Sequence, residues 1–287
     1  MRIKPTHFAG LVLMTLFWAL CFPLILLGLP FAPPLAFAGL RSLLSGAFFL
    51  IPAFALRRPI PQSRGEWLPL GAAGIGAASF GFLGMFLAAE SVSPGIATVL
   101  ANIQPLMAAG LAYFYLDEKL GLRRGFGMLV AFIGILLIAF PGFSESHESS
   151  LTGVLLIFFG AIGVAIGNIF LKSLASKVDW QMAIGWQFLI GSAPLFLLSI
   201  LFETSFAIDW NISFALVLVS LSLLGTALPF GLWFFYLRFY ELNRINTFTF
   251  LTTVFGLLLG TLFFGENLGL LEYAGIAMVS IGILRVS

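Results

Sequence analysis

The sequence predicts an all-α membrane protein with ten transmembrane helices, arranged as two inverted five-helix repeats. Three observations support this fold class. The composition is 60% hydrophobic and only 9% charged, whereas soluble domains carry about 25% charged residues. Apolar runs long enough to cross about 30 Å of hydrocarbon recur along the whole chain. A segment near the end of the first half is repeated without gaps at the end of the second half.

Charged residues, prolines and glycines divide the chain into ten apolar runs, which we predict to be the membrane spans. Each run should be helical, because a backbone in lipid must satisfy its hydrogen bonds within its own segment. The runs are also too long for tilted barrel strands. In chain order the predicted spans are 8–28, 35–56, 67–89, 95–116, 124–141, 151–171, 180–202, 212–235, 246–264 and 268–284.

The basic residues predict the orientation of the bundle. Thirteen of the fourteen Lys and Arg residues lie at the termini or in alternate connections, and the opposite connections contain acidic residues without any Lys or Arg. Because Lys and Arg accumulate in short cytoplasmic loops, we predict a protein of the plasma (inner) membrane with both termini in the cytoplasm. The formal net charge of +2 is spread between the apolar runs, which argues against nucleic-acid binding.

The repeat is clearest between residues 118–136 and 266–284, which share nine identities at a spacing of 148 residues. The identities include the pairs Gly127/Gly275 and Gly134/Gly282. Each repeat contains five predicted spans, an odd number, so the second repeat enters the membrane from the opposite side. We therefore predict two inverted units, residues 1–142 and 151–287, with a substrate site between them near the midplane. A duplication that serves structure without transport is the alternative.

Several segments resemble one family. The run ATVLANIQP at Ala97–Pro105, followed by LDEKL at Leu116–Leu120, resembles EamA-type members of the drug/metabolite transporter superfamily. Trp18 and the stretch Leu35–Arg41, with its arginine in the second span, resemble the start of the same module. The resemblance covers nearly the whole chain. It implies ten helices, no cofactor, and movement of small solutes such as amino acids, their derivatives or toxic amphiphiles, often outward.

Two positions depart from the pattern of that family. Thr253 stands where the second repeat usually has a proline, and Asn267 stands where a basic residue usually follows Glu266. The second half is therefore predicted to lack the kink that Pro105 introduces in the first half. Glu118 and Glu266, which follow their spans at opposite faces, are interpreted as interface caps or ion partners of neighbouring loops. Cys21 is interpreted as an ordinary helix residue.

Arg41 is the only basic side chain inside a predicted span, about six residues or roughly 9 Å from its outer end. It could anchor a substrate carboxylate or pair with an acid at a gate, or it could bond backbone carbonyls at a helix break. Aligning the second helix of each repeat places the neutral Gln187 opposite Arg41. We therefore favour the structural role.

Other polar groups at membrane depth are functional candidates, because burying them in lipid is costly, although interhelical hydrogen bonds are the common alternative. Aromatic side chains away from the interfaces are candidates for stacking against flat or amphiphilic solutes. The predicted substrate-binding candidates are Trp18, Arg41, Ser79, Asn102, Gln104, Pro105, Asn168, Trp186, Gln187, Trp233, Thr249 and Thr252.

The sequence contains no phosphate-binding glycine loop, no metal-ligand spacing and no nucleophile beside a base, which argues against an enzyme, a cofactor, a metal site or an ATP-driven pump. We predict a secondary transporter, an exporter of amino acids or related small organic metabolites. A multidrug or toxic-cation exporter and a non-transporting membrane scaffold are the alternatives. The expected partners are a small-molecule substrate, the lipid bilayer and, as an option, a coupling proton; a monomer is the simplest assembly.

Overall fold

A computed structural model describes residues 3–89, 92, 100–118, 121–145, 151–204, 207–264 and 269–286. The described residues form helices and short connections, without a β-strand. The helices of the first half are α1 (Pro5–Ala19), α2 (Cys21–Gly28), α3 (Pro34–Ala55), α4 (Arg64–Ala73), α5 (Gly81–Ala88), α6 (Gln104–Tyr115) and α7 (Leu122–Glu145). Those of the second half are α8 (Leu151–Leu174), α9 (Trp180–Phe202), α10 (Ile212–Ser222), α11 (Leu228–Leu237), α12 (Leu242–Asn246), α13 (Leu251–Phe264) and α14 (Leu270–Val286).

Six continuous helical rods in the described part are long and apolar enough to cross a membrane. They coincide with the predicted first, second, third, sixth, seventh and eighth spans. The rods are Pro5–Phe31, Pro34–Ala55, Arg64–Ala88, Leu151–Leu174, Trp180–Phe202 and Ile212–Leu237. The other four predicted spans overlap α6, α7, α13 and α14, of which α6 and α13 contain 12 and 14 residues. The protein is thus an all-α membrane protein, and the count of ten spans stays a prediction.

Two helical segments, the first rod and the segment from α12 to α13, are less regular than the apolar pattern predicts. The first rod breaks at Leu20, between α1 and α2, and ends in a 3₁₀ turn at Leu29–Phe31. The short helix α12 is joined to α13 by a 3₁₀ turn at Thr247–Phe250. Residues 246–249 read Asn-Thr-Phe-Thr, and polar side chains of this kind compete with backbone hydrogen bonds in helices.

Two further rods contain π-helical segments at corresponding positions of the two halves. The first π segment, Gly74–Phe80, joins α4 to α5, and the second π segment, Leu223–Ala227, joins α10 to α11. In each, a backbone N–H donates five residues back: Gly81 to Gly76, and Leu228 to Leu223. A π turn carries one extra residue and leaves carbonyl oxygens without their usual helical donors, a feature common at functional sites.

The repeated glycines lie where α7 packs against α14. A Cβ atom added at Gly275 would lie 2.5 Å from the carbonyl oxygen of Gly134, and one added at Gly282 would lie 2.5 Å from the carbonyl oxygen of Gly127. The two helices are antiparallel, since the residue numbers rise along one as they fall along the other. Their backbones touch because neither carries a side chain at these points.

Replacing Gly275 by alanine is expected to lower the stability of the protein by about 1–3 kcal/mol, because its methyl group would overlap the Gly134 carbonyl. Gly256 in α13 is the matched control, since a Cβ there meets nothing within 4 Å. Gly256→Ala should instead stabilise the helix by roughly 1 kcal/mol. Thermal melting of the two purified variants checks the pair, and equal melting temperatures would contradict this packing.

The centre of the bundle is built from the remaining rods. Helix α3 packs along α9, and the rod from α4 to α5 packs against both α8 and α9. Helix α1 contacts α11 and α13, while α8 contacts α5 and α6, which is the matching arrangement in the other half. Small residues permit the close approach: a Cβ at Gly76 would lie 2.6 Å from the Gly163 carbonyl oxygen.

Candidate functional site

Arg41 lies deep in α3, with only 1% of its surface exposed. Its Nε donates to the hydroxyl of Thr226 at 2.8 Å, and its Nη2 donates to Cys21 Sγ at 3.2 Å and to the Gly225 carbonyl at 3.4 Å. The guanidinium carbon lies 4.1 Å from the ring centroid of Phe82, within cation–π range. Among the described residues, Nη1 has no hydrogen-bond partner and no acidic side chain forms an ion pair with Arg41.

The second π segment supplies two of the three acceptors of Arg41, Thr226 and Gly225. Its Gly225 carbonyl accepts from the thiol of Cys21 at 3.1 Å as well as from Arg41, and the hydroxyl of Thr226 donates to the Leu221 carbonyl at 3.0 Å. Cys21 is therefore part of a polar network and not the ordinary helix residue that its apolar sequence context predicts. The network joins α2, α3 and the break between α10 and α11.

Aromatic rings continue from Arg41 through the core. The Phe82 ring stacks on Phe188 at 6.0 Å between centroids, and Phe188 meets Phe230 edge to face at 4.9 Å. Trp18 lies 5.4 Å from Phe230 and 5.5 Å from Trp233. We call Phe82, Phe188, Phe230, Trp18 and Trp233 the aromatic run. It connects α5, α9, α11 and α1, and it brings two of the predicted tryptophans together.

Three other predicted polar residues lie on the helices around this run. Gln187 in α9 is completely buried, and neither atom of its carboxamide has a hydrogen-bond partner among the described residues. Ser79, in the first π segment, donates to the Gly191 carbonyl at 2.8 Å and so joins two rods. Asn168 in α8 is 4% exposed. Ser79 is thus satisfied by protein, while Gln187 is not.

A second polar group lies where α6 approaches α13. Asn102 Nδ2 donates to the hydroxyl of Thr253 at 2.8 Å. Thr253 is the residue that replaces the expected proline, so its hydroxyl provides a partner for Asn102. Pro105 occupies the second position of α6, where its missing N–H costs no helical hydrogen bond.

Other predicted polar residues line the same region. The hydroxyl of Thr249 donates to the carbonyl of Asn246 at 2.7 Å. Gln104 Nε2 and the hydroxyl of Thr252 have no hydrogen-bond partner in the described part of the chain. Asn246, which was not among the predicted residues, is completely buried. Its amide nitrogen and oxygen also have no hydrogen-bond partner among the described residues.

One predicted tryptophan lies apart from the aromatic run. Trp186 contacts Trp67 at 5.0 Å and Phe54 at 6.5 Å between ring centroids, near the start of α4 and the end of α3.

Several residues of the candidate site were not predicted from the sequence. They are the residues that contact the predicted side chains. Polarity at membrane depth could have indicated Cys21 and Thr226, whereas no signal distinguishes three phenylalanines among 33. Glu266, Asn267 and residues 97–99 of the family-like segment lie outside the described residues.

The connection 238–241, between α11 and α12, is held by side chains from several helices. Lys172, near the end of α8, donates to the carbonyls of Leu237 at 2.5 Å and Tyr240 at 2.6 Å. The hydroxyl of Tyr240 is hydrogen-bonded to Nδ1 of His7 in α1 at 2.8 Å. A cation at the end of α11 also complements the helix dipole.

The same connection is held from the side of α6 and α7. Glu118 Oε1 accepts from the N–H of Leu242 at 2.8 Å, and Oε2 accepts from the N–H of Asn243 at 3.1 Å, so the carboxylate caps α12. Arg124 forms an ion pair with Glu241. We call His7, Glu118, Arg124 and Lys172 the 238–241 clamp.

Glu118 is expected to make the clamp sensitive to pH. Its burial raises the pKa of the carboxyl above the ordinary value, although the N–H groups of Asn243 and Leu242 and the charge of Lys172 oppose the shift. A raised pKa means that the folded protein holds the proton more tightly, so this contribution to stability is present at low pH and is lost as pH rises through the raised pKa.

Melting temperatures of wild type and Glu118→Gln are compared from about pH 4 to pH 8, and wild type should lose stability relative to the variant as the pH rises above the ordinary carboxyl range. Lys172 and Glu241 also face this carboxyl, and both remain in the variant. Subtracting the two curves thus isolates Glu118. A constant difference across this range would contradict the assignment.

An apolar surface groove of about 810 Å³ lies between α6 and α7, away from the aromatic run. None of the predicted substrate-binding residues lines it. The lining residues are Leu106, Ala109, Gly110, Tyr113, Phe114, Gly125, Met128 and Leu129.

Comparison with known proteins identifies the relatives of this chain. A chloroplastic WAT1-related protein of Arabidopsis thaliana is 29% identical over 90% of this chain and 64% of its own length. A probable amino-acid metabolite efflux pump of Salmonella typhimurium is 30% identical over 95% of this chain and 91% of its own. One solved crystal structure superposes with a TM-score of 0.79 at 19% identity, covering 96% of this chain and 97% of that one, which supports the fold.

The family comparison matches each half of the chain separately. The profile of the EamA-like transporter family matches residues 7–140 and again residues 151–287. The relatives are transporters of the drug/metabolite transporter superfamily rather than enzymes. This chain belongs to the EamA-like transporter family.

Proposed function

We propose that this protein is a secondary transporter that exports amino acids or related small organic metabolites. It works by alternating access between two inverted five-helix units, residues 1–142 and 151–287, and uses a proton or solute gradient. The observation that carries the proposal is the contact between α7 and α14. Gly127 contacts Gly282, the repeat equivalent of Gly134. Gly134 contacts Gly275, the repeat equivalent of Gly127.

Such a reciprocal contact is what a twofold axis in the membrane plane produces, and that axis relates the halves of inverted-repeat transporters. The contact between α6 and α13 supports the same axis. Asn102 pairs with Thr253, and the repeat equivalents of these residues are Phe250 and Pro105. Thr253 is the repeat equivalent of Pro105, three residues from Asn102, so this bond joins nearly equivalent positions of the two repeats, which favours a binding region between the halves.

The charges in the core favour amino acids over organic cations. Arg41, the only basic residue in the interior of a predicted span, is buried, and no acidic side chain of the described residues pairs with it. A positive charge in a medium of low dielectric repels a cationic substrate and attracts a carboxylate at longer range. The name of the Salmonella relative, an amino-acid metabolite efflux pump, supports the same class.

Counterflow in liposomes tests the function directly. Purified protein is reconstituted and loaded with unlabelled solute, and uptake of a panel of radiolabelled amino acids, their derivatives and cationic dyes is measured. Exchange of at least one amino acid or derivative is expected. Exchange of dyes alone would favour a multidrug exporter. Folded protein that exchanges no member of the panel would contradict the proposal.

The proposed orientation, with both termini in the cytoplasm, predicts which loops an impermeant thiol reagent reaches in intact cells. In a Cys21→Ser background, which keeps a hydroxyl to bond Gly225 and Arg41, Ser146→Cys should be labelled and Ser63→Cys should not. Ser63→Cys should react after the cells are opened, which controls for reactivity. Labelling of Ser63→Cys alone in intact cells would reverse the orientation.

A further inference from the structure

Two buried polar side chains in the core have no protein partner. Gln187 is 0% exposed and Trp233 is 1% exposed. In the described part of the chain, neither amide atom of Gln187 nor the indole Nε1 of Trp233 has a hydrogen-bond partner. An unsatisfied buried polar group costs about 1–3 kcal/mol, so native proteins rarely keep one without a reason. A bound solute that completes these hydrogen bonds is such a reason.

Both groups adjoin the aromatic run. Gln187 precedes Phe188 in α9, and the hydroxyl of Ser42 donates to the Phe188 carbonyl at 2.7 Å. Ser42 follows Arg41 in α3, so this bond joins the chain neighbours of the two repeat-equivalent residues Arg41 and Gln187. Trp233 is itself part of the run and contacts Trp18 at 5.5 Å. Gln187 and Trp233 therefore lie on α9 and α11, two helices that meet through the rings of Phe188 and Phe230.

The repeat-equivalent residues Arg41 and Gln187 differ in the hydrogen bonds that they make with the protein. Arg41 uses its Nε and Nη2 to bond Thr226, Cys21 and Gly225. The carboxamide of Gln187 bonds none of the described residues. Two of the three guanidinium nitrogens of Arg41 are thus bound by protein and only Nη1 is left without a partner, whereas Gln187 keeps both a donor and an acceptor for a ligand.

We propose that Gln187 and Trp233 recognise the head group of an α-amino acid and that the aromatic run receives an aromatic or large apolar side chain. A carboxamide presents one donor beside one acceptor. Gln187 Nε2 and Trp233 Nε1 donate to the carboxylate, and Gln187 Oε1 accepts from the ammonium group. The assignment rests on the proposed transport function and specifies its substrate class.

The directions in which the melting temperature and the apparent KM change distinguish ligand recognition by Gln187 from a structural role. Methionine matches glutamine in length and helix propensity, so Gln187→Met removes the unsatisfied polar atoms without a large change in volume. It should raise the melting temperature of the substrate-free protein, because an unpaired buried amide disappears. It should also raise the apparent KM for L-phenylalanine by about 10- to 100-fold, which corresponds to the loss of hydrogen bonds to charged groups.

Counterflow of radiolabelled L-phenylalanine and L-leucine in liposomes measures the KM, with Trp233→Phe as a second variant that keeps a ring but loses the N–H donor. Trp233→Phe should raise the KM by a smaller factor. Ser192→Ala in α9 is the matched control, since the hydroxyl of Ser192 is buried but already donates to the Leu189 carbonyl. Its KM should equal that of wild type. In wild type, unlabelled L-phenylalaninamide and 3-phenylpropanoate should each compete less well than L-phenylalanine.

Gln187→Met that melts below wild type with an unchanged KM would overturn the proposal and make Gln187 structural. Wild type that moves other solutes of the panel, but neither labelled amino acid, would overturn the substrate class while the transport function stands. Wild type that moves no solute at all contradicts the proposed function itself, so the two failures are distinct.

Discussion

Replacing Arg41 by lysine or glutamine is expected to lower the free energy of unfolding by about 2–4 kcal/mol. The guanidinium fork reaches the hydroxyl of Thr226, Cys21 Sγ and the Gly225 carbonyl at once while lying over Phe82. Lysine keeps the charge but presents a compact ammonium that cannot match this geometry. Substrate affinity per folded molecule should remain close to wild type, since these contacts are made with protein.

Thermal melting together with counterflow of an amino acid and its amide checks this prediction. Arg58, an exposed residue in the connection after α3, provides the control, and Arg58→Gln should melt like wild type. Arg41→Gln that melts normally but no longer distinguishes the amino acid from its amide would contradict the structural role. Arg41 would then contact the substrate carboxylate.

Replacing Lys172 by methionine is expected to release the connection 238–241. The variant loses the two hydrogen bonds to the carbonyls of Leu237 and Tyr240, each of which involves a charged donor worth about 1.5–3 kcal/mol. The end of α11 and the start of α12 should then open locally more often. In lipid nanodiscs, amide hydrogen exchange over residues 238–246 should accelerate by at least about tenfold, which corresponds to roughly 1.4 kcal/mol.

Lys177 makes a suitable comparison, because it is exposed at the same end of the bundle and has no side-chain hydrogen bond within the described part of the chain. Exchange in Lys177→Met should match wild type. If Lys172→Met and Lys177→Met exchange alike, the lysine at position 172 does not hold the connection, and the 238–241 clamp depends on His7, Glu118 and Arg124.

The helices could be predicted from sequence because lipid leaves a spanning backbone little choice, so apolar length alone locates rods such as Leu151–Leu174. The glycines of α7 and α14 were visible through the repeat, and their contact explains why both copies keep them. The π segments could not be predicted. Leu223–Ala227 has the same apolar character as its neighbours, and the extra residue follows from packing rather than from composition.

The candidate site was partly predictable for a similar reason. Arg41, Gln187 and Trp233 stand out as polar or amphipathic groups in apolar runs, and each is buried in the core. Their partners depend on which helices meet, and the pattern of apolar runs does not specify these contacts. Trp186 illustrates the limit, because it has the same residue type and depth as a cavity residue but packs against Trp67.

The second π segment has a consequence for movement within the bundle. A π turn holds one residue more than an α turn, so converting it to regular helix turns everything beyond it by about 100°. In the rod Ile212–Leu237, such a screw step would carry Phe230 and Trp233 away from Trp18 while α10 stayed in place. The bonds from Arg41 to Thr226 and Gly225 and the bond from Cys21 to Gly225 connect this segment to α3 and α2, so such a step would break contacts with both helices.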